Sequence, residues 1–422
     1  MGTQIHQKPR DQLDDVAIIG LACRFPGGAS NESKFWDLLY ERRSAHSKAP
    51  SDRYNTEAFH HPSNSKLNTL RAAGGHFLDE NVAAFDAPFF NITSQEAKAM
   101  DPTARLLLEV SYEALENAGL PIEGIAGSDT SCYVGCFTRD YHEMLMRDAE
   151  TAPMYAGTGT GFSLQSNRVS WFYDLRGPSM TLDTACSSSL VGLHLACQGI
   201  RNNESKISVV SGTNLILGPD LSLWLSNLNM LSASGLSKSF SDEASGYGRG
   251  EGIATVILKS VADAIEDGDT IRAIIRGTGV NQDGHTTGIT VPNSDAQAEL
   301  IRMTYANAGL DPSETSYFEA HGTGTAVGDP LELAAVAKTM CQGRETGDDL
   351  YVGSVKSNIG HLEGAAGLAG LIKCVLMLEN DTILPNIYYN KPNSKIPFES
   401  WKIKVPTKAV PWPSNSIRRA SV

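Results

Sequence analysis

The sequence lacks most of the features that mark special classes of protein. None of its seven cysteines forms a CxxC pair, and an odd count does not suit a disulfide framework. The first fifteen residues are polar without an apolar signal core, and no apolar run approaches the roughly 18 residues of a membrane span. These absences predict a protein of a reducing compartment, the cytoplasm, with no membrane span and no zinc site.

Positive charge is also scarce. The chain has 35 Lys and Arg against 48 Asp and Glu, a formal net charge of −13. This balance argues against nucleic acid as a partner, since nucleic-acid binders usually carry a basic face. The 422 residues are 41% hydrophobic and 20% charged, which is ordinary for a globular protein with a large core. The length suggests two or three domains, or one large α/β unit of two halves.

Buried strand patterns alternate with helical patterns along the chain, which predicts an α/β fold with buried sheets. The strand-like runs are 15–23, 131–137, 207–217, 254–260, 271–281, 315–325 and 350–361. The helical patterns are 100–120, 331–340 and 364–380. Asp101 can cap the first of these helices, Pro102 suits its first turn, and Gly119 suits its end.

The segment SMTLDTACSSSLVGLHLACQGI (179–200) predicts a strand, a sharp turn and a buried helix. Cys186 would lie at the turn, where the free N–H groups of the helix lower the pKa of a thiol and favour the thiolate. Free cysteines are more often buried core residues. We assign that structural role to the other six, and Cys186 is either a core residue or a nucleophile.

Two histidines follow strand patterns and are surrounded by glycines. His321 lies in EAHGTGTAVGDP (319–330), and His361 lies in VKSNIGHLEGAAG (355–367). One of them with Cys186 would suggest a hydrolase dyad, with Asn358 as the orienting residue. Two neutral imidazoles could instead donate to one thioester oxygen and stabilise an enolate. Zinc is a third possibility, although the spacings are long and irregular for a zinc site.

These motifs together resemble the β-ketoacyl synthase (ketosynthase) domain of type I iterative polyketide synthases, most of all the fungal highly reducing type. The resemblance covers roughly residues 13–422. It continues through further motifs in the same order: AIIGLACRFPGG (17–28), FDAPFFNIT (85–93), SNRVSWFYDLRGPS (166–179), GYGRGEG (246–252) and GVNQDGHTTGITVPN (279–293).

The resemblance implies a thiolase-like fold, with five layers in the order α-β-α-β-α and two pseudo-repeated halves. Residues 1–12 would be a flexible leader. The N-terminal half, with the nucleophilic cysteine, would span 13–262, and the C-terminal half, with both histidines, would span 263–422. The strand before Cys186 would pair across a homodimer.

The resemblance also implies a chemistry. Cys186 matches the nucleophile that takes an acyl group from the 4′-phosphopantetheine arm of an acyl carrier protein. His321 and His361 match the histidines that assist decarboxylation of the malonyl thioester and hold its enolate. Lys356 matches a supporting lysine. Thr323 and Thr325 match positions that contact the pantetheine arm, although they could simply stabilise a turn. No metal and no bound cofactor are expected.

One family motif is missing. The family continues into a run such as NSFGFGGTNAH, with a second oxyanion N–H and closing strands, whereas this sequence stops at RRASV (418–422). We therefore expect a C-terminally truncated half and poor condensation by this chain alone. The alternatives are a non-elongating decarboxylase or acyltransferase of the same fold and a non-catalytic dimer partner. Partners of the latter kind lack the nucleophile, whereas Cys186 is present here.

Overall fold

A computed structural model describes residues 15–63, 65–345, 347–413 and 417–422. The predicted leader, residues 1–12, lies outside the described residues.

The described chain alternates strands and helices from end to end. The strands are β1 (Val16–Arg24), β2 (Ser47–Lys48), β3 (Gly74–Gly75), β4 (Ser131–Gly135), β5 (Ser179–Leu182), β6 (Ile207–Asn214), β7 (Gly252–Ser260), β8 (Ala273–Ile275), β9 (Tyr317–Glu319), β10 (Leu350–Gly353), β11 (Thr382–Ile383), β12 (Ile403–Lys404), β13 (Val410–Pro411) and β14 (Ala420–Ser421).

The helices lie between these strands, and most of the longer ones pack on a sheet. They are α1 (Glu32–Tyr40), α2 (Thr56–Phe59), α3 (Ser94–Ala99), α4 (Pro102–Asn117), α5 (Ile122–Ile125), α6 (Asp140–Met146), α7 (Ala156–Thr160), α8 (Leu164–Phe172), α9 (Ser188–Arg201), α10 (Asp220–Asn227), α11 (Val261–Glu266), α12 (Ser294–Ala308), α13 (Gly328–Met340), α14 (Lys356–Ile359) and α15 (Ala366–Glu379).

Two larger sheets organise the molecule. The first has the order β5-β4-β6-β7-β1-β8, in which β5, β4 and β6 run parallel and the remaining neighbours run antiparallel. The second has the order β12-β10-β9-β14 and is parallel throughout. Two short antiparallel pairs, β2 with β3 and β11 with β13, lie outside these sheets.

The side chains on the two faces of each sheet reveal five layers. On β1, Ile18 belongs to a core that includes residues of α9 and α15, whereas its neighbour Ile19 belongs to a core that includes α4. On β9, Tyr317 belongs to the core shared with α15, whereas Phe318 packs with residues of α12 and α13. Successive strand residues face opposite ways, so α9 and α15 lie between the sheets. The predicted α-β-α-β-α order is confirmed.

Helix α4 forms where its end signals predict it. The Asp101 side chain accepts from Thr103 N at 2.9 Å, Pro102 occupies the first turn, and Gly119 has a φ of 71° just past the end. Inside these ends, the apolar residues of α4 pack on β1 and β7. The prediction for 100–120 is therefore confirmed.

Three predicted strands are much shorter than expected. The run 315–325 is a strand only at β9, after which the chain enters the loop that carries His321. The run 271–281 is a strand only at β8. Beyond the strand, Gly277 and Gly279 pack closely on Thr304 of α12. The run 350–361 is a strand only at β10 and then turns into α14.

The cysteines follow the prediction. All seven are free thiols, Cys186 is partly buried, and the other six are buried. Within the described ranges, no helix is both long enough and apolar enough to cross a bilayer.

Candidate active site

Cys186 lies at a strained turn between β5 and α9. The preceding residue, Ala185, has a φ of 54°, in the left-handed region that costs a residue with a side chain about 1–3 kcal/mol. The Ser188 hydroxyl holds the turn by donating to the Ala185 carbonyl at 2.6 Å and accepting from Thr184 N at 2.9 Å. The turn therefore fixes the backbone on both sides of the thiol.

His321 lies on the loop after β9. Its backbone N–H donates to Glu332 Oε1 at 2.6 Å, and Gly322 N–H donates to the other carboxylate oxygen at 2.9 Å. Glu332 belongs to α13, so a helix carboxylate fixes the backbone of the histidine. The side chain remains open to solvent, and its Nε2 lies 3.9 Å from Cys186 Sγ.

His361 follows α14 and is buried. Its N–H donates to Gly248 O at 2.7 Å, and its carbonyl accepts from Gly250 N at 2.8 Å. The preceding Gly360 has a φ of 73°, and a Cβ there would come within 2.4 Å of His76 Nδ1. Only glycine fits this approach, which holds a histidine of the second half against the segment before β7.

The three residues meet at one point. The rings of His321 and His361 are nearly perpendicular, with centroids 5.3 Å apart. One donor or ligand atom from each histidine and Cys186 Sγ all lie within 4.8 Å of one another. Residues 135 and 175 positions apart from the cysteine are thus brought to a single reacting centre.

The position of the proton on His361 follows from its neighbours. Glu363 N–H donates to His361 Nδ1 at 2.9 Å, so that nitrogen accepts and the proton of the neutral ring lies on Nε2. Burial, with the charge of Lys356 adding to it, holds the pKa of His361 well below its usual value. The ring therefore stays neutral at pH 7 and offers one Nε2–H donor.

His321 is also neutral, but its proton is less restricted. Its depth in the molecule and the charge of Lys356 lower the pKa of its imidazole. Solvent reaches the side chain and moderates this effect, although the direction still favours the neutral form at pH 7. Solvent access also lets the ring exchange its proton between the two nitrogens.

A thiol and two imidazoles are also a donor set that a thiophilic metal ion could use. An imidazole that binds a metal has lost the proton from the binding nitrogen, and its other nitrogen usually donates to an oxygen. His361 has the reverse arrangement, since its Nδ1 accepts from Glu363 N. The geometry therefore fits a hydrogen-bond donor better than a metal ligand.

The expected thiolate at Cys186 is not supported. Burial raises the pKa of the Cys186 thiol and the charge of Glu363 raises it further, while the charge of Lys356 and a hydrogen bond from the Cys186 backbone oppose them. The helix end is not close enough to outweigh these effects, because α9 begins two residues after the cysteine. The resting form of Cys186 is therefore a thiol, and His321 is the imidazole beside it. For Cys186 to react as a nucleophile, the thiol would have to lose its proton.

Lys356 is buried at the start of α14. Burial lowers the pKa of its ammonium group, while the carboxylates of Glu319 and Glu332 and the Cys186 thiolate favour the charged form. The charge of Lys356 in turn favours neutral histidines and a thiolate at Cys186. It therefore acts on all three reacting groups through its field.

Thr323 and Thr325 lie on the loop after His321. Their hydroxyls are 3.3 Å apart, and the Thr325 hydroxyl accepts from Gly328 N at 3.1 Å. Thr325 thus satisfies an N–H at the start of α13, which is the structural role left open for it. Thr323 has only the contact with Thr325 among the side-chain hydrogen bonds described for its hydroxyl.

Two carboxylates escaped the sequence analysis, Glu332 and Asp329. The buried Asp329 accepts from Phe240 N at 2.7 Å and from Gly324 N at 3.1 Å, and burial raises its pKa to about 7. Both residues precede or fall inside an apolar helical pattern, where an acidic side chain is usually solvated. The adjacent HGTGT loop could have predicted them, because its backbone N–H groups need acceptors nearby.

A third carboxylate, Glu363, lies beside His361 with a φ of 47°. Its Oε1 is 3.2 Å from Arg249 Nε, and both side chains are buried. Arg249 also donates to the Ser222 hydroxyl at 2.8 Å. This ion pair anchors the backbone that donates to His361 Nδ1.

The hydrolase hypothesis loses its orienting residue. The Asn358 amide donates to Arg43 O at 2.9 Å and accepts from the Ser357 hydroxyl at 3.1 Å. Asn358 therefore braces α14 against the segment after α1. The hydrogen bonds described for it include none to either histidine.

Family comparisons agree with this geometry. Models of the N-terminal and C-terminal domains of β-ketoacyl synthases match residues 13–264 and 272–390. The chain is 70% identical over 409 residues to a highly reducing polyketide synthase of Preussia isomera, covering 97% of this chain and 17% of that protein. It is 54% identical to a partially reducing polyketide synthase of Talaromyces stipitatus, covering 96% and 16%.

Solved structures show the same fold. A ketosynthase from module 6 of the bacillaene synthase of Bacillus subtilis has a TM-score of 0.88 and 37% identity, over 96% of this chain and 69% of that one. An oxazolomycin ketosynthase domain from Streptomyces albus has a TM-score of 0.91 and 35% identity, over 96% and 71%. The fold is therefore that of the ketosynthases, which is thiolase-like.

Proposed function

The chain belongs to the β-ketoacyl synthase family, and on that basis we propose that it is the ketosynthase of a fungal polyketide synthase of the highly reducing type. Its reaction is acyl transfer to Cys186, followed by decarboxylative Claisen condensation with a malonyl thioester. The product is a β-ketoacyl thioester two carbons longer. The observation that carries this proposal is the meeting of one thiol with two neutral imidazoles, one of which has a fixed Nε2–H.

The first half-reaction loads the enzyme. Cys186 Sγ attacks the carbonyl carbon of an acyl-pantetheine thioester, the new S–C bond forms, and the old C–S bond breaks. The thiol proton moves through His321 Nε2, 3.9 Å away, to the departing pantetheine sulfur. The Cys186 N–H supplies one oxyanion donor, and such a donor is worth about 3 kcal/mol in other enzymes.

The second half-reaction generates the carbon nucleophile. The C–C bond to the malonyl carboxylate breaks, CO₂ leaves, and the electron pair delocalises onto the thioester oxygen. His361 Nε2–H donates to that oxygen, and His321 joins it after exchanging its proton to Nε2. The enolate carbon then attacks the acyl carbonyl on Cys186, whose sulfur leaves and regains a proton.

Lys356 and the two threonines have supporting roles in this proposal. Lys356 orders the histidines and opposes the rise in the pKa of Cys186 through its charge. Thr323 and Thr325 contact the pantetheine arm that brings each substrate. Neither role requires a metal or a bound cofactor.

The partners follow from the same premise. Substrates arrive on the 4′-phosphopantetheine arm of an acyl carrier protein in the cytoplasm. A homodimer forms through β5, which lies at one edge of the first sheet and exposes 41% of Met180. The chain spans only 17% and 16% of the two polyketide synthases compared above, so the rest of such a synthase would supply the other activities.

Intact mass spectrometry tests the proposal. The protein is incubated with hexanoyl-pantetheine and then with malonyl-pantetheine, in parallel with Cys186→Ala. We expect one acyl adduct on the native chain, no adduct on the variant, and, in line with the poor condensation expected for this chain alone, a β-keto product in low yield after malonyl addition. The native Cys23 and five other buried thiols serve as internal controls for non-specific acylation.

Each other result contradicts a specific part of the proposed function. An adduct on Cys186→Ala places the nucleophile elsewhere. Acylation with CO₂ release but no β-keto product indicates the non-elongating alternative, and a folded chain without any adduct indicates the non-catalytic partner.

A further inference from the structure

A buried three-residue cluster lies beneath the two histidine loops and has no part in the mechanism above. Lys373 Nζ is 2.7 Å from Glu319 Oε2 and 2.9 Å from the Tyr317 hydroxyl. The tyrosine hydroxyl donates to the same Glu319 oxygen at 2.6 Å. The side chains of Lys373 and Glu319 are only 1% and 2% exposed, so this ion pair lies wholly away from solvent.

The second oxygen of Glu319 has a different task. Oε1 accepts from Val355 N at 2.6 Å, and Val355 is the residue directly before α14. Glu319 itself ends β9, two residues before His321. One carboxylate thus joins the strand end that carries His321 to the helix that begins with Lys356.

The cluster is rigid for a physical reason. A buried carboxylate needs its charge paired and its lone pairs satisfied, and Glu319 has three donors in different directions. Lys373 comes from α15, which packs against β9 from the layer between the sheets. The carboxylate therefore cannot rotate without breaking an ion pair in a site that water does not reach.

Charge connects the cluster to the reacting groups. Lys356 faces Glu319 from β9, Glu332 from α13, Lys373 from α15 and the Cys186 thiol. The charge of Lys356 also acts on His321, His361 and Glu363. Of the charges that act on Lys356, Glu319 is the largest favourable one, and Lys373 is the opposing one.

We propose that Glu319, held by Lys373 and Tyr317, is a positioning residue that sets Lys356 relative to His321 and supplies the negative charge opposite that lysine. This inference rests on the proposed function, in which charged Lys356 orders the two histidines that assist decarboxylation. Glu319 touches no substrate and acts through Lys356 alone.

The test is the pH dependence of malonyl-pantetheine decarboxylation between pH 6 and 10. With Glu319→Gln the alkaline limb should move to lower pH by about one unit, because Lys356 loses an opposite charge and deprotonates sooner. With Lys373→Met the limb should move to higher pH, because a like charge is removed. Tyr317→Phe should slow the reaction without moving the limb.

Two further variants guard against loss of folding. The double variant Glu319→Gln with Lys373→Met removes both buried charges together, and its limb should move to lower pH by less than in Glu319→Gln alone, because Glu319 acts on Lys356 more strongly than Lys373 does. Lys259→Met, which breaks a buried ion pair with Asp269 (2.7 Å) in the first sheet, should leave the limb unchanged. Thermal melts establish which variants are folded.

The outcomes separate the two proposals. A native chain that neither acylates nor decarboxylates contradicts the proposed function. An active native chain whose limb stays fixed, or moves in the same direction, in Glu319→Gln and Lys373→Met overturns the positioning role alone. A limb that is also fixed in the double variant, where neither charge remains buried alone, overturns it even if both single variants unfold.

Discussion

At the scale of single residues, the two histidines differ in how firmly their protons are held. His361 is buried and receives Glu363 N–H on Nδ1, so its Nε2–H is permanent at neutral pH. His321 is open to solvent and can change tautomer. A site that first moves a thiol proton and later donates to an enolate needs one histidine of each kind.

The Cys186 thiol should ionise at a higher pH than a free thiol. Because burial and Glu363 raise its pKa, the thiolate fraction at pH 7 is below that of a free thiol. We expect its alkylation by iodoacetamide to be slower than that of a small model thiol at pH 7 and to keep rising at pH values where the model thiol has levelled off. Mass spectrometry of the Cys186 peptide over pH 7–10 measures this, and an inflection below that of the model thiol would contradict it.

Substitutions of the two threonines should differ in the property that they change, which is stability for one and substrate binding for the other. Thr325→Val removes the acceptor for Gly328 N and should cost about 1 kcal/mol of unfolding free energy. Thr323→Val should change stability less and raise KM for pantetheine thioesters. Thermal melts beside steady-state kinetics distinguish these results. If KM is unchanged in both variants, then the threonines serve the turn alone.

The residues that the sequence revealed and those that it hid differ in kind. Cys186, His321 and His361 stand in turns and glycine-rich loops, where the local sequence itself indicates a close approach of backbone or ligand. Glu332 and Lys373 lie inside helical patterns, and Glu319 ends a strand. Apart from the hydrogen bond of Glu319 with the nearby Tyr317, their partners are 10 to 56 positions away, so the packing of helices on the second sheet brings them together.

At the scale of elements, a glycine at the end of β4 determines how closely α9 approaches the first sheet. A Cβ on Gly135, the last residue of β4, would lie 2.3 Å from Ser189 N and 2.6 Å from Ser188 C. These are backbone atoms of the first turn of α9. The absence of a side chain at one strand end therefore fixes where the helix begins, and with it Cys186.

Gly135→Ala should displace the start of α9. Overpacking of this kind costs about 1–3 kcal/mol, and acylation of Cys186 should fall more than stability does. Gly192→Ala, on α9 itself, is the matched control. Its Cβ would lie 3.4 Å from Tyr133 Cβ, which is an ordinary van der Waals contact. Melting temperature and the initial rate of adduct formation test the pair, and equal effects of the two variants would refute the argument.

Element prediction succeeded where local chemistry and packing agree. α4 has a cap, a first-turn proline and a terminal glycine, and β1 is buried on both faces. The run 350–361 was misjudged because Val352 and Val355 suggest a strand, whereas Glu319 captures Val355 N and starts a helix. Short strands such as β12 and β14, two residues each, carry too little sequence to be seen.

At the scale of the whole molecule, one core joins the two halves. Residues of β1, β6 and β7 pack in the same cluster as Leu368 and Ile372 of α15. The first sheet thus buries one face against a helix from the second half. Neither half can bury its apolar surface alone, so the chain should unfold in one transition.

Leu368→Ala should destabilise both halves together. Leu368 is fully buried in the shared core, and such a truncation costs about 2–5 kcal/mol. Hydrogen exchange should show equal loss of protection in β6 and β9. Leu333→Ala, in the separate core between α13 and the second sheet, is a second test, because a single transition predicts equal loss of protection in β6 and β9 there too. A change confined to β9 in Leu368→Ala would mean that the halves unfold independently.

The shared middle layer has a consequence for synthesis on the ribosome. His361 and α15 are translated roughly 175 residues after Cys186, an interval on the order of 10–35 s at 5–20 residues per second. Until then the face of α9 that packs on α15 lacks that partner, and the thiol lacks His361. In a nascent chain of this fold, the helix that follows Cys186 should therefore keep apolar surface exposed until α15 is made.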